Sequence, residues 1–192
     1  MNPQDRTVGL FIMGGTIDSR NAPERDGEAV VLRTSLVGKY LENLQLYFTI
    51  IVRNICMKDS RGIFPEDRER LRDEIKQLGL RNNLVTHGTY TMKNTGEYLL
   101  AQEAIRDRVI GLTGSMGTLL GTVDEEGRLM PSDGQFNLGY SFGQLSHLDI
   151  GVYQFMNGGT FKLPEEWWMH DEKGISWKKG GKVLRTSKPG NQ

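Results

Sequence analysis

The chain has 192 residues, of which 37% are apolar with glycine left out of the count; its 24 glycines bring that share to roughly a half, the ordinary composition of a globular domain. Its 24 Lys and Arg balance 24 Asp and Glu, so no general polyelectrolyte attraction draws it to nucleic acid or to an anionic membrane. Cys56, the single cysteine, excludes an internal disulfide and any cysteine-based zinc cluster. No run approaches the ~18 apolar residues of a membrane span, and Met1 to Arg6 lacks the order of a signal peptide, so the expected compartment is the cytoplasm. Glycine makes up about an eighth of the chain, against an average near 7%, an excess that a packed core does not explain.

In chain order, Thr7 to Met13 is a short apolar run ending in Gly14-Gly15-Thr16 and reads as a buried strand. Asp18 to Arg33 is polar, contains Pro23 and Gly27, and reads as an exposed, mobile loop. Leu36, Val37, Tyr40, Leu41 and Leu44 recur at helical spacing behind Thr34 and Ser35 as caps. Tyr47 to Met57 is rich in β-branched and aromatic residues and predicts a second strand carrying Cys56 as an inert core thiol. Pro65-Glu66-Asp67 opens a helix with buried face Leu71, Ile75 and Leu78. Leu84 to Thr86 predicts a strand running into His87-Gly88-Thr89, and Tyr98, Leu99 and Ile105 a helix after it. Arg108 to Thr113 is a strand ending in Gly114-Ser115, Gly117 to Pro131 a second long loop, and Phe136, Leu138, Phe142 and Leu145 the face of a helix begun near Ser132. Gly151 to Met156 is the last predicted strand. From Asp171 to Gln192 six basic residues outweigh two acidic ones, the pattern of a solvated tail; Trp167, Trp168 and Trp177 are expected to cover an exposed edge of the core.

Strands and helices alternate without a repeat, which predicts an α/β fold: a three-layer arrangement with a mostly parallel sheet between helices. In such sheets ligands bind outside the carboxyl ends of the strands. Those ends carry Gly14-Gly15-Thr16, Asp59-Ser60, His87-Gly88-Thr89 and Gly114-Ser115. The full glycine patterns of dinucleotide and phosphate loops are absent. Two hydroxyls on neighbouring strand ends suit acyl chemistry, with glycine turns as donors to an oxyanion; a threonine that merely caps a helix is the simpler alternative. The spacing of His87, His147 and His170 fits no metal-ligand motif, and His87 reads as a structural hydrogen-bonder.

Six segments carry more information than their spacing: FIMGGTIDS (Phe11 to Ser19), KDSRGIFPED (Lys58 to Asp67), VTHGTYTM (Val85 to Met92), GLTGSM (Gly111 to Met116), SDGQFNLG (Ser132 to Gly139) and GVYQFMNG (Gly151 to Gly158). In this order they resemble the landmarks of the bacterial L-asparaginase family, over about residues 7 to 160. The resemblance implies a Rossmann-like domain over residues 1–160, the family's N-terminal domain without the usual smaller C-terminal one, followed by a basic extension over residues 161–192. It implies hydrolysis of L-asparagine to L-aspartate and ammonia in the cytoplasm, with no cofactor and no metal, by a homodimer. Thr16 matches the nucleophile, Thr89 the second catalytic threonine, and Ser60 the residue that holds the substrate α-carboxylate, with the Gly15 and Gly88 turns against the substrate; Asp59 reads as structural.

Three positions depart from the family pattern. Tyr90 stands where the family has an aspartate that pairs with the substrate ammonium. Either Asp18 on the polar loop replaces that carboxylate or Tyr90 is the ordinary residue of this branch. The loop has no tyrosine near Thr16, Tyr40 reading as a core residue, so Tyr90 is a candidate to supply a catalytic phenol. The lysine that activates the second threonine is expected about eleven residues beyond Asn157, where the count lands on Trp168; Lys162 comes early, and Lys173 is the candidate only if the segment carries an insertion. A non-catalytic amino-acid-binding relative and an amidase for a related substrate lacking a free α-amine remain the alternatives.

Overall fold

A computed structural model describes residues 6–22, 28–124, 126–171, 174–179 and 182–185. Strand β1 (Thr7–Gly14) leads into a one-turn 3-10 helix (Thr16–Asp18) and the hairpin β2 (Ser19–Ala22) and β3 (Glu28–Val31); then come α1 (Leu36–Glu42), β4 (Thr49–Lys58) and α2 (Pro65–Leu78). β5 (Asn82–Thr86), α3 (Met92–Leu100) and β6 (Val109–Thr113) follow, then the short pair β7 (Thr122–Val123) and β8 (Leu129–Met130), α4 (Asp133–Leu145), β9 (Gly151–Met156) and β10 (Gly159–Lys162). β11 (Glu166–Asp171), β12 (Gly174–Lys179) and β13 (Lys182–Arg185) form a separate antiparallel sheet.

The main sheet has six strands in the order β10-β9-β6-β5-β1-β4. Five are mutually parallel, and β10 reverses along β9. Because side chains alternate along a strand, β1 sends Leu10 and Ile12 to one face and Phe11 and Met13 to the other, and all four are fully buried. One face builds a core with Leu71 and Ile75 of α2 and Leu99 of α3; the other packs Val37 and Leu41 of α1 against Leu138, Phe142 and Leu145 of α4. A sheet covered on both faces is the three-layer α/β architecture that the alternation predicts.

Helix starts follow their local chemistry. Ser35 Oγ accepts from the Val37 N–H at 3.1 Å, Ser132 Oγ from the Gly134 N–H at 2.9 Å, and Asp67 from the Phe64 N–H at 2.9 Å at the Pro65 start, each satisfying an orphan donor of a first turn. Cys56 is half-buried against the core, and burial pushes its thiol up to about 11, as suits an inert thiol.

Several expectations are corrected. The stretch read as a loop from Asp18 to Arg33 contains the β2–β3 hairpin, paired from Ser19 opposite Val31 to Ala22 opposite Glu28, and Asp18 and Ser19 are buried. The second loop contains β7 and β8. Ile105 lies in a 3-10 turn after α3 rather than in the helix. Phe136 is on the outer side of α4, 59% exposed. Beyond Gly158, β10 adds a strand to the main sheet. Of the stretch read as a solvated tail, residues 174–179 and 182–185 are paired strands.

Candidate active site

The carboxyl ends of β1, β4, β5 and β6 open on one edge, and backbone contact fits their turns together. Gly15 has φ +87, a conformation that an L side chain rarely adopts. A Cβ on it would stand 2.4 Å from the Gly88 nitrogen, and a Cβ on Gly88 would stand 2.7 Å from the Ser60 Cβ. The Gly15 N–H donates to the Lys58 carbonyl at 2.9 Å, and the Thr91 hydroxyl to the Ser60 carbonyl at 2.7 Å. The turns that carry Thr16, Ser60 and Thr89 therefore touch backbone to backbone. Ser60 is buried, whereas Thr16 and Thr89 are half-buried.

Buried partners orient the peptide groups before both threonines. The Gly15 carbonyl accepts from the Asp18 N–H at 3.0 Å and the Ser19 hydroxyl at 2.9 Å. The Gly88 carbonyl accepts from His87 Nδ1 at 2.7 Å. A carbonyl oxygen only accepts, so Nδ1 carries the proton and Nε2 accepts from Thr95 Oγ at 2.8 Å; Thr95 in turn accepts from Arg68 Nε at 3.1 Å. In a trans peptide the C=O and the following N–H point in opposite directions. Holding both carbonyls back thus turns the Thr16 and Thr89 N–H groups the other way. His87 is fully enclosed, and burial pushes its imidazole down to about 4, so it is a neutral structural link, as its place in the motif suggests.

The model of the family described as "Asparaginase, N-terminal" matches residues 7–158. The chain belongs to the asparaginase family. No curated protein matches it. The thermostable L-asparaginase from Thermococcus kodakarensis superposes with a TM-score of 0.68 at 23% identity, over 97% of this chain and 58% of that one. L-asparaginase I from Vibrio cholerae O1 biovar eltor gives 0.70 at 17%, over 95% and 56%. The probable cytoplasmic L-asparaginase from Campylobacter jejuni gives 0.68 at 18%, over 94% and 57%. These likenesses show the fold, and this chain spans somewhat more than half of each neighbour's length. No helix among the described residues is long and apolar enough to cross a membrane.

In this asparaginase-family chain the structure brings Gly15, Thr16, Ser60, Gly88 and Thr89 to one edge. Tyr90 sits beside them but is 76% exposed, with the Arg61 guanidinium 5.2 Å from its ring centre. Asp59 is structural as read: it accepts from the Arg61 backbone and side chain, both at 2.9 Å. Asp18 is a correction. Its Oδ1 accepts from Ser35 Oγ at 2.8 Å and from the Leu36 and Val37 N–H groups at 2.7 and 3.2 Å, so this fully buried carboxyl anchors α1 instead of facing a ligand.

Lys173 lies outside the described residues. Lys162 is on β10 opposite Tyr153, its Cε next to Gly151 where β9 begins, at the far end of the sheet. Trp168, where the count from Asn157 lands, is buried in the core, and its backbone N–H donates to Gln154 Oε1 at 3.0 Å.

Sequence reasoning missed Lys93, which shares a pocket with Thr89, and the supports Ser19, Thr95 and Arg68. Lys93 stands four residues after Thr89, on the first turn of α3, the one signal that places it nearby. It also missed Asn137, whose side chain donates to the Gly114 carbonyl at 2.9 Å and accepts from the Asn157 N–H at 2.8 Å, tying the ends of β6 and β9 together. Among the described residues no group of three His, Cys, Asp or Glu side chains is placed to hold a metal ion.

Proposed function

We propose that the protein is a cytoplasmic amidohydrolase of the asparaginase type that converts L-asparagine to L-aspartate and ammonia through Thr16. The observation that supports this reading is the close approach of the Gly15 and Gly88 turns, whose carbonyls are held by Ser19 and His87 and which are followed by the half-buried Thr16 and Thr89.

Thr16 Oγ attacks the side-chain amide carbon, and its proton is passed to the departing nitrogen, which leaves as ammonia. Water then adds to the threonyl ester, and aspartate departs as the Thr16 hydroxyl is restored. The Thr16 and Thr89 N–H groups stabilise the oxyanion of each tetrahedral intermediate, while the Thr89 hydroxyl positions the water and Ser60 holds the α-carboxylate. Lys173 is the candidate activator of Thr89 only if the segment after Asn157 carries an insertion relative to the family, whose count lands on Trp168. The exposed apolar side chains Val123 and Leu129 of the β7–β8 hairpin fit the expected homodimer.

Ammonia release from L-asparagine tests the reading. Thr16→Ala is expected to lose about a thousandfold or more in kcat, as removal of a nucleophile does. Release that survives Thr16→Ala overturns the mechanism; none from the parent protein leaves a binding protein.

A further inference from the structure

Thr89 of the candidate site also lines a pocket of about 280 Å³, together with Tyr90, Lys93, Asn94, Met116 and Trp167. Two of its walls are aromatic, and each ring already carries a cation: the Arg61 guanidinium lies 5.2 Å from the Tyr90 ring centre and Lys93 Nζ lies 4.5 Å from that of Trp167. No aspartate or glutamate lines the pocket among the described residues. The carboxylates bonded to its surroundings are engaged: Asp59 with Arg61 at 2.9 Å, Glu97 with Lys93 at 2.6 Å, and Asp133 with the Met116 and Gly117 N–H groups at 3.0 and 3.2 Å.

An ammonium group entering here meets Lys93 and the cations already seated against the two rings, and among the described residues it has no lining carboxylate to pair with in return for its lost hydration. A neutral acyl group meets the opposite conditions. Its carbonyl can accept from the Asn94 amide or from Lys93, and its apolar chain has Tyr90, Trp167 and Met116 to lie against.

We propose that this pocket is a subsite for an acyl group on the substrate's α-nitrogen, so that the preferred substrate class is Nα-acylated asparagine, including asparagine at the C-terminus of a short peptide. This rests on the amidohydrolase reading for the reaction but on the pocket alone for the preference. The bond cleaved is still the side-chain amide: water is consumed, ammonia leaves, and the acyl group stays on its nitrogen.

Two measurements separate the preference from the chemistry. The first is ammonia release by the parent protein from L-asparagine and from Nα-acetyl-L-asparagine. The second is calorimetric binding of both compounds to Thr16→Ala, which needs no turnover.

We expect kcat/KM for the acetylated compound to be at least about tenfold higher, Thr16→Ala to bind it more tightly by a similar factor, and Tyr90→Asp to reverse the order, since a charge-assisted hydrogen bond discriminates by that much or more. L-Asparagine bound and hydrolysed as well as or better than its acetylated form overturns the subsite. Failure of Thr16→Ala to bind the acetylated compound overturns it as well. Tighter binding of the acetylated compound with no ammonia from either leaves the subsite standing and removes the amidohydrolase reading.

Discussion

Lowering the pH tests the His87 link most directly. In the unfolded chain this imidazole titrates near 6.5, whereas in the folded protein burial holds it at about 4. Between these values the unfolded state binds a proton that the folded state refuses, so stability is fully present above 6.5 and falls as the pH drops towards 4. At 1.36 kcal/mol per unit, the loss is about 2.5 kcal/mol by pH 4.5 and roughly 3 kcal/mol in all. That is a large share of the ~5–15 kcal/mol that holds a domain of this size.

Asp18 works against this trend, because burial raises its pKa and the folded state takes up its proton more readily than the unfolded chain does. Asp59, Asp67, Asp73 and Asp124 are held below 3.8 and titrate under this window. Urea unfolding of the parent and of His87→Asn, at pH 7 and at pH 4.5, isolates the His87 contribution. Asparagine keeps a donor for the Gly88 carbonyl but cannot ionise. The parent should lose about 2.5 kcal/mol more than the variant between the two conditions. Equal losses, or a His87 ring that titrates near 6.5 by NMR, would refute the reasoning.

Gly15→Ala places a Cβ 2.4 Å from the Gly88 nitrogen at a left-handed φ; about 3 kcal/mol or more of stability should go with it, read by thermal unfolding. Thr95→Val leaves Arg68 Nε and His87 Nε2 without their shared hydroxyl, and the buried His87 orphan alone costs about 1–3 kcal/mol by the same measurement. Ser60→Ala should raise KM for the amide substrate about tenfold with little change in kcat, the pattern of a lost ground-state contact. Lys173→Ala should lower kcat about a hundredfold at unchanged Tm if this lysine activates Thr89; a parental kcat removes it from the mechanism.

The buried strands were legible because both of their faces are apolar: Leu10 to Met13 and Leu84 to Val85 need no partner to declare themselves. The helix starts at Ser35, Pro65 and Ser132 were legible because capping chemistry is local. The β2–β3 hairpin was not, since its strands are polar and their pairing is decided across the turn. Nor was the role of Asp18, whose partner Ser35 lies 17 residues further on. Phe136 has helical apolar spacing yet stacks outward on Tyr140, with ring centres 6.3 Å apart, because spacing does not say which side of a wide apolar stripe meets the core. At the candidate site the residue types could be read off the motifs. That the turns touch, and that His87, Thr95 and Arg68 form one chain behind Thr89, are facts of packing between segments far apart in sequence.

The position of β4 at the end of the main sheet bears on how copies of this protein behave at high concentration. The reversed strand β10 and the parallel strand β4 are the two end strands of the sheet, and β4 presents its outer edge with Val52, Arg53 and Asn54 exposed. An open parallel edge is a template for another strand, and charge on it discourages that pairing. Arg53, tethered to Glu74 at 3.6 Å, and Lys58, held by Asp67 at 2.7 Å, supply such charge along β4. The same Lys58 residue that accepts the Gly15 N–H on its carbonyl thus guards the sheet against edge-to-edge aggregation with its side chain.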